Sequence, residues 1–267
     1  MEKKHKRVDT FDIMKFFGII MVIVGHMTHY FQGVIFSFHM PLFFIIAGYF
    51  YHAKGIKESF SKDVKHLVFP YLLTALAIVL TYAAYSFIKE NVDMKYWMIA
   101  MIYGSGSVNH SSPLLAKVPA IGAIWFLLAL FWCKNIYNVV CHYSKMPLLV
   151  SLCLSGVAIV LDRYVVNLPF AILPGIGAMF FYGLGNFLKQ KGGILKFNPF
   201  FGVICVLVWI VSFLTSDMSM VRCYYQDIFI NVLGAIGGTY VIFLISDVLS
   251  TCRYPLHRAV IWGGKIA

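Results

Sequence analysis

Acidic residues are scarce in this 267-residue sequence: 11 Asp+Glu stand against 22 Lys+Arg, and charged residues of both signs make up only 12%. Water-soluble domains carry about a quarter charged residues. The shortage, joined to 60% hydrophobic residues and a mean hydropathy of +0.80, excludes an ordinary soluble fold. The chain reads as a polytopic membrane protein. Its basic excess does not point to nucleic acid, because the cations sit in short runs between apolar segments, where membrane topology accounts for them.

Further absences narrow the chemistry. The six cysteines (Cys133, Cys141, Cys153, Cys205, Cys223, Cys252) form no C-x-x-C and no paired Cys/His ligand spacing, so neither a disulfide framework nor a zinc site is expected. No G-x-S-x-G, G-x-x-x-x-G-K-[ST] or H-E-x-x-H occurs, and no paired carboxylates lie within apolar runs. That disfavours serine hydrolases, ATP-driven pumps and zinc proteases. The basic start lacks a short apolar core with a small-residue cleavage site, and Lys15 interrupts its apolar run, so the first helix is expected to stay in the mature protein. There is no repeat of fixed period and no linker-like stretch. Residues 1–267 read as a single all-α membrane domain.

What is present is a series of apolar stretches near residues 13–31, 34–52, 67–88, 121–142, 147–162, 170–188, 199–215 and 228–249. Each is long enough, or nearly so, to cross roughly 30 Å of hydrocarbon, which predicts a bundle of about eight spans. "YWMIAMIY" (Tyr96–Tyr103) is too short to cross and fits an interfacial or re-entrant segment. Under this count most basic residues fall on one side, which places the N-terminus in the cytoplasm and the loop of about residues 89–120 outside.

Ionisable residues inside spans are costly, roughly 2.5–3.5 kcal/mol each on insertion scales, and usually face a bundle interior or a wet cavity. On the first span Lys15 and His26 are eleven residues apart, so they share a helix face about 16 Å apart along the axis. Asp12 can pair with Lys15 across one turn; the alternative for both is a membrane-border pair that snorkels. His29 reads as an interfacial histidine near the outer mouth. His39 opens the second span ahead of Pro41, which loosens that first turn. The connection is short, so His26 and His39 can approach each other. Two such imidazoles offer a base and a partner near neutral pH, or else merely satisfy one another in a core.

Taken together, "DIMKFFGIIMVIVGH" and "FSFHMPLFFIIAGYFY", followed by "KHLVFPY", "IWFLLALF" and "LPFAILPGIGAMFFYGLGNFL", resemble the integral membrane acyltransferase 3 family. That family includes O-acetyltransferases of bacterial surface polysaccharides and fucose 4-O-acetylase-like proteins. The resemblance implies transfer of an acyl group, usually acetyl, from cytoplasmic acyl-CoA to a hydroxyl of a lipid-linked or cell-surface carbohydrate, by a multi-pass protein of the cell membrane. It implies binding of CoA by Lys15, oriented by Asp12, with Lys65 either adding to the CoA site or serving only topology. His26 would be the general base on the acceptor hydroxyl or a transient acyl carrier, and His39 would orient it or bind the acceptor. No metal and no tightly bound cofactor is implied. Relatives have about ten spans, and "HRAVIWGGKIA" resembles the start of the next-to-last. The expectation is therefore either a C-terminally truncated chain or fragment, or a shortened version whose bundle is closed by a partner or a further copy. The alternative reading is a transporter that uses His26 and His39 as a substrate or proton site.

Overall fold

The computed structural model describes residues 2–28, 30–88, 93–108, 118–164, 168–192, 198–251 and 257–266. Among them lie thirteen α-helices, α1 Glu2–Met27, α2 Gln32–Phe36, α3 His39–Tyr49, α4 Ile56–Asp63, α5 Phe69–Ser86, α6 Met94–Tyr103, α7 Trp125–Tyr143, α8 Pro147–Tyr164, α9 Ile172–Gly177, α10 Met179–Gln190, α11 Pro199–Thr215, α12 Ile228–Thr251 and α13 His257–Ile266. Extended structure among the described residues amounts to two residue pairs, Met218–Ser219 and Tyr224–Tyr225, and an isolated parallel bridge between Ser105 and Ala120. Five segments are long and apolar enough to cross a membrane: Asp9–Met27, Gln32–Tyr49, Ile56–Ser86, Pro147–Tyr164 and Ile228–Thr251; Pro199–Thr215 is apolar but shorter. The chain is an all-α membrane helix bundle.

The two remaining expected spans differ from the others for identifiable reasons. In α7 the apolar run is diluted by Lys134, Asn135 and Asn138. The stretch 170–188 is divided at Ala178, between α9 and α10. There the Ser155 hydroxyl donates to the Ile176 carbonyl at 3.2 Å and accepts from the Phe180 N–H at 3.0 Å. Those two backbone groups are the partners of one helical hydrogen bond, so the serine is inserted into the ladder and breaks it.

Helix ends follow ordinary capping chemistry. Asn198 accepts from the Phe201 N–H ahead of Pro199, and Asp93 accepts from the Tyr96 N–H at the start of α6, each satisfying an orphan donor. Helix α6 spans ten residues, too few to cross, as its sequence predicts. On α5 the side chains of Phe69, Leu72, Leu73, Leu76 and Leu80 are exposed. An apolar stripe of that spacing turned outward is the surface of a helix that faces lipid.

Two compact units can be distinguished by contacts. The first comprises Met1–Phe50, Leu184–Ser219 and Tyr225–Ala267, the second Tyr51–Gly183 and Met220–Tyr224. In the first, Phe11, Met14, Phe38, Leu42, Ile46, Tyr49, Tyr240 and Phe243 form the core, and the Phe11 and Tyr49 rings pack with centroids 4.4 Å apart. Helix approach is closest where a side chain is missing, as is usual in membranes: Gly185 sits on the Ile45 carbonyl and the Tyr49 N–H. In the second unit, Ala158, Leu173 and Cys223 are fully packed. Phe170 and Ala171 hold positive φ angles of 59° and 50° there. Their N–H groups are tied to the Ile102 and Tyr103 carbonyls, and the Trp132 indole donates to the Phe170 carbonyl at 3.0 Å. Conformations of that kind persist only where their surroundings fix them.

Candidate functional site

The intramembrane histidines are placed by a break in the second span. Between α2 and α3 the Ser37 hydroxyl donates to the Val34 carbonyl at 2.7 Å and accepts from the Trp209 indole at 2.9 Å. The chain then restarts as a helix at His39, with Phe38 as N-cap. This restart leaves the His39 imidazole turned back on the preceding turn, where Nδ1 lies 2.8 Å from the Ile35 carbonyl. A carbonyl can only accept, so Nδ1 carries the proton and the neutral ring keeps its lone pair on Nε2. His39 is buried, at 6% exposure.

His26 sits at the end of α1 and is exposed. The α1–α2 hairpin is tied by the Gln32 amide donating to the Gly25 carbonyl at 3.0 Å. Gly25 has no side chain to fend off the Phe36 ring, which a Cβ there would meet at 2.8 Å. Phe36 consequently lies against both histidines, with ring centroids 6.1 Å from His26 and 5.1 Å from His39. The two imidazoles share one aromatic neighbour. They do approach, yet no hydrogen bond joins them. The partner of His39 is backbone, so the pair does not satisfy itself in a core. His29 lies outside the described residues.

At the other end of the same helix, the Lys15 ammonium is 3.3 Å from Asp12 Oδ1 and 5.8 Å from the centroid of Phe50. The Asp12 side chain is only 7% exposed and that of Lys15 is 27%. Asp12 Oδ2 is buried and meets no hydrogen-bond partner among the described residues. Helix α13 packs over this turn, with Gly264 against the Asp12 carbonyl. Lys65, in the second unit, is exposed on a π-helical turn, Val64–Val68.

A second polar constellation, in the second unit, was not anticipated. The Lys134 ammonium is 2.6 Å from Asp63 Oδ1, and the Asn135 amide donates to Asp63 Oδ2 at 3.4 Å and to the Phe131 carbonyl at 2.8 Å. One turn on, Asn138 accepts from the Tyr51 hydroxyl at 2.7 Å and donates to the Lys54 carbonyl at 3.0 Å. The signal that could have found it was Lys134 itself, an ammonium in the middle of an apolar stretch. Among the described residues, no three His, Cys, Asp or Glu side chains gather as metal ligands would.

Fold and site together define a multi-pass helical membrane protein with one exposed and one buried histidine on its first two spans. A family model described as an acyltransferase domain matches residues 8–266, nearly the whole chain. The chain belongs to the acyltransferase 3 family and is a membrane acyltransferase. No curated protein and no solved structure matches it.

Proposed function

We propose that the protein transfers an acyl group, acetyl in the simplest case, from acyl-CoA to a hydroxyl of a lipid-linked or cell-surface carbohydrate. In this reading it sits in the cell membrane with its N-terminus in the cytoplasm, so that Lys15 lies near the donor side and His26 near the acceptor side. The observation that carries the proposal is the contrast between two histidines on one phenylalanine. His39 is buried with its tautomer fixed, and His26 is exposed on the helix that also carries the Asp12–Lys15 pair.

The roles follow from that arrangement. His26 removes the proton from the acceptor hydroxyl as its oxygen attacks the thioester carbonyl. The C–S bond then breaks, and the CoA sulfur leaves as a thiolate that takes up the proton. A transient acyl-imidazole on His26 achieves the same exchange in two steps. His39, which cannot turn without losing its bond to Ile35, holds the acceptor side of the site in place. Lys15 meets the anionic part of CoA with Asp12 restraining its ammonium. Lys65 is read as an exposed cation of the second unit available to an acyl-CoA phosphate. Roughly 16 Å of helix separates Lys15 from His26, a distance suited to the extended arm of CoA.

Purified protein in lipid nanodiscs, supplied with labelled acetyl-CoA and a glycan acceptor, should release labelled ester and free CoA in equal amounts. The His26→Ala variant should fold and bind CoA but transfer nothing above background. Full transfer by that variant would remove His26 from the mechanism, and solute flux without transfer would point to a transporter instead.

A further inference from the structure

We infer that Lys134, acting through Asp63, is a positioning residue for Lys65 and hence for recognition of the anionic part of the acyl donor. This rests on the reading of Lys65 as a contact to acyl-CoA.

Asp63 ends α4 and is the N-cap of the π-helical turn Val64–Val68, on which Lys65 is the second residue. Its carboxylate does not cap that turn. Both oxygens are instead taken by α7, Oδ1 by the Lys134 ammonium at 2.6 Å and Oδ2 by the Asn135 amide at 3.4 Å. The Phe60 and Phe131 rings, with centroids 5.3 Å apart, add an apolar contact between the same two helices. Asp63 itself is 5% exposed. A carboxylate that has lost its water costs free energy unless such partners replace it.

The clamp matters because a π-turn is a wide register that an ordinary helix would collapse. Here the Phe69 N–H reaches five residues back to the Val64 carbonyl. Pro70, which has no N–H to continue the ladder, follows at once. A π-turn amounts to one extra residue in the helix. Its conversion to α-helix would rotate Lys65 by about 100° around the axis relative to α5. Holding Asp63 from outside therefore fixes the face on which the Lys65 ammonium emerges. The cost of a buried ion pair between helices 71 residues apart in sequence is accounted for if that register is used.

The test compares CoA with pantetheine, which keeps the arm and lacks the phosphates, by calorimetric titration of the full chain in nanodiscs. Lys134→Gln should raise the dissociation constant for CoA about tenfold, the scale of one charge-assisted contact, and leave that for pantetheine unchanged. Lys134→Arg should restore CoA binding. Lys65→Ala should give the same selective loss, and combining it with Lys134→Gln should add nothing. Equal weakening of both ligands, an unchanged affinity for CoA, or full additivity of the two substitutions would overturn the inference and leave the acyl-CoA reading intact. A wild-type chain that binds pantetheine as well as CoA, or neither, overturns the reading itself and the inference with it. Should Lys134→Gln not fold, Asp63→Asn, which preserves shape and weakens the pair, carries the same comparison.

Discussion

A lysine–aspartate pair of the first unit and one of the second are built differently. In the first, Asp12 and Lys15 are one turn apart on a single helix, 3.3 Å from each other, with one carboxylate oxygen buried and unpartnered among the described residues. In the second, Asp63 and Lys134 come from different helices, meet at 2.6 Å, and both carboxylate oxygens are satisfied. A local pair can form whether or not the bundle is assembled, so it adds little to folding. A pair across helices exists only in the folded state and contributes to it. In the function proposed above, the Asp12–Lys15 pair acts on the ligand. Complete satisfaction at Asp63 is what a structural clamp shows.

If that division holds, the largest effect on transfer belongs to the first unit. His26→Ala should lower the rate of acetyl transfer by about 10²–10⁴, the usual contribution of a general base, with no change in thermal unfolding of the detergent-solubilised protein. A melting temperature that falls along with the rate would mean that the ring is held for packing.

The next effect reverses the order of the units. Lys134→Met leaves the Asp63 carboxylate buried without its cation and should cost about 1–3 kcal/mol of stability. Lys15→Met removes a partly exposed local partner and should cost at most about 1 kcal/mol. Unfolding of the two variants under one denaturant series checks the difference. Equal losses would dissolve the contrast between a working pair and a clamp.

The contrast also separates what the sequence makes legible from what it does not. Asp12 and Lys15 are three residues apart, and helix geometry alone brings them together. Lys134 was visible as an ammonium in an apolar stretch, but nothing within reach of local periodicity names Asp63 as its partner. The same limit explains the division of the stretch 170–188. Its Gly and Pro content is plain, whereas the break is made by the hydroxyl of Ser155, which belongs to another helix. His39 is an intermediate case. Pro41 and the short connection place it at the start of a span near His26, but the tautomer depends on a break pinned by Trp209, far along the chain. Local rules therefore recover the helices and place the candidate residues on them, and miss the long-range side chains that fix their register.

The smallest effects come from glycines and test whether close packing is as local as charge pairing. Gly185 lies in the first unit against the Ile45 carbonyl and the Tyr49 N–H. A methyl group there must push two helices apart, so Gly185→Ala should cost about 1–3 kcal/mol, read as a lower unfolding midpoint. Gly156 lies within α8 of the second unit with nothing within 4 Å of where a Cβ would stand. Gly156→Ala meets no obstacle and replaces a poor helix former by the best one, so it should raise the midpoint by up to about 1 kcal/mol. Opposite signs at two helical glycines of similar sequence surroundings can come only from what lies across from each. Losses at both would show that the groups lying across from each glycine do not decide the sign.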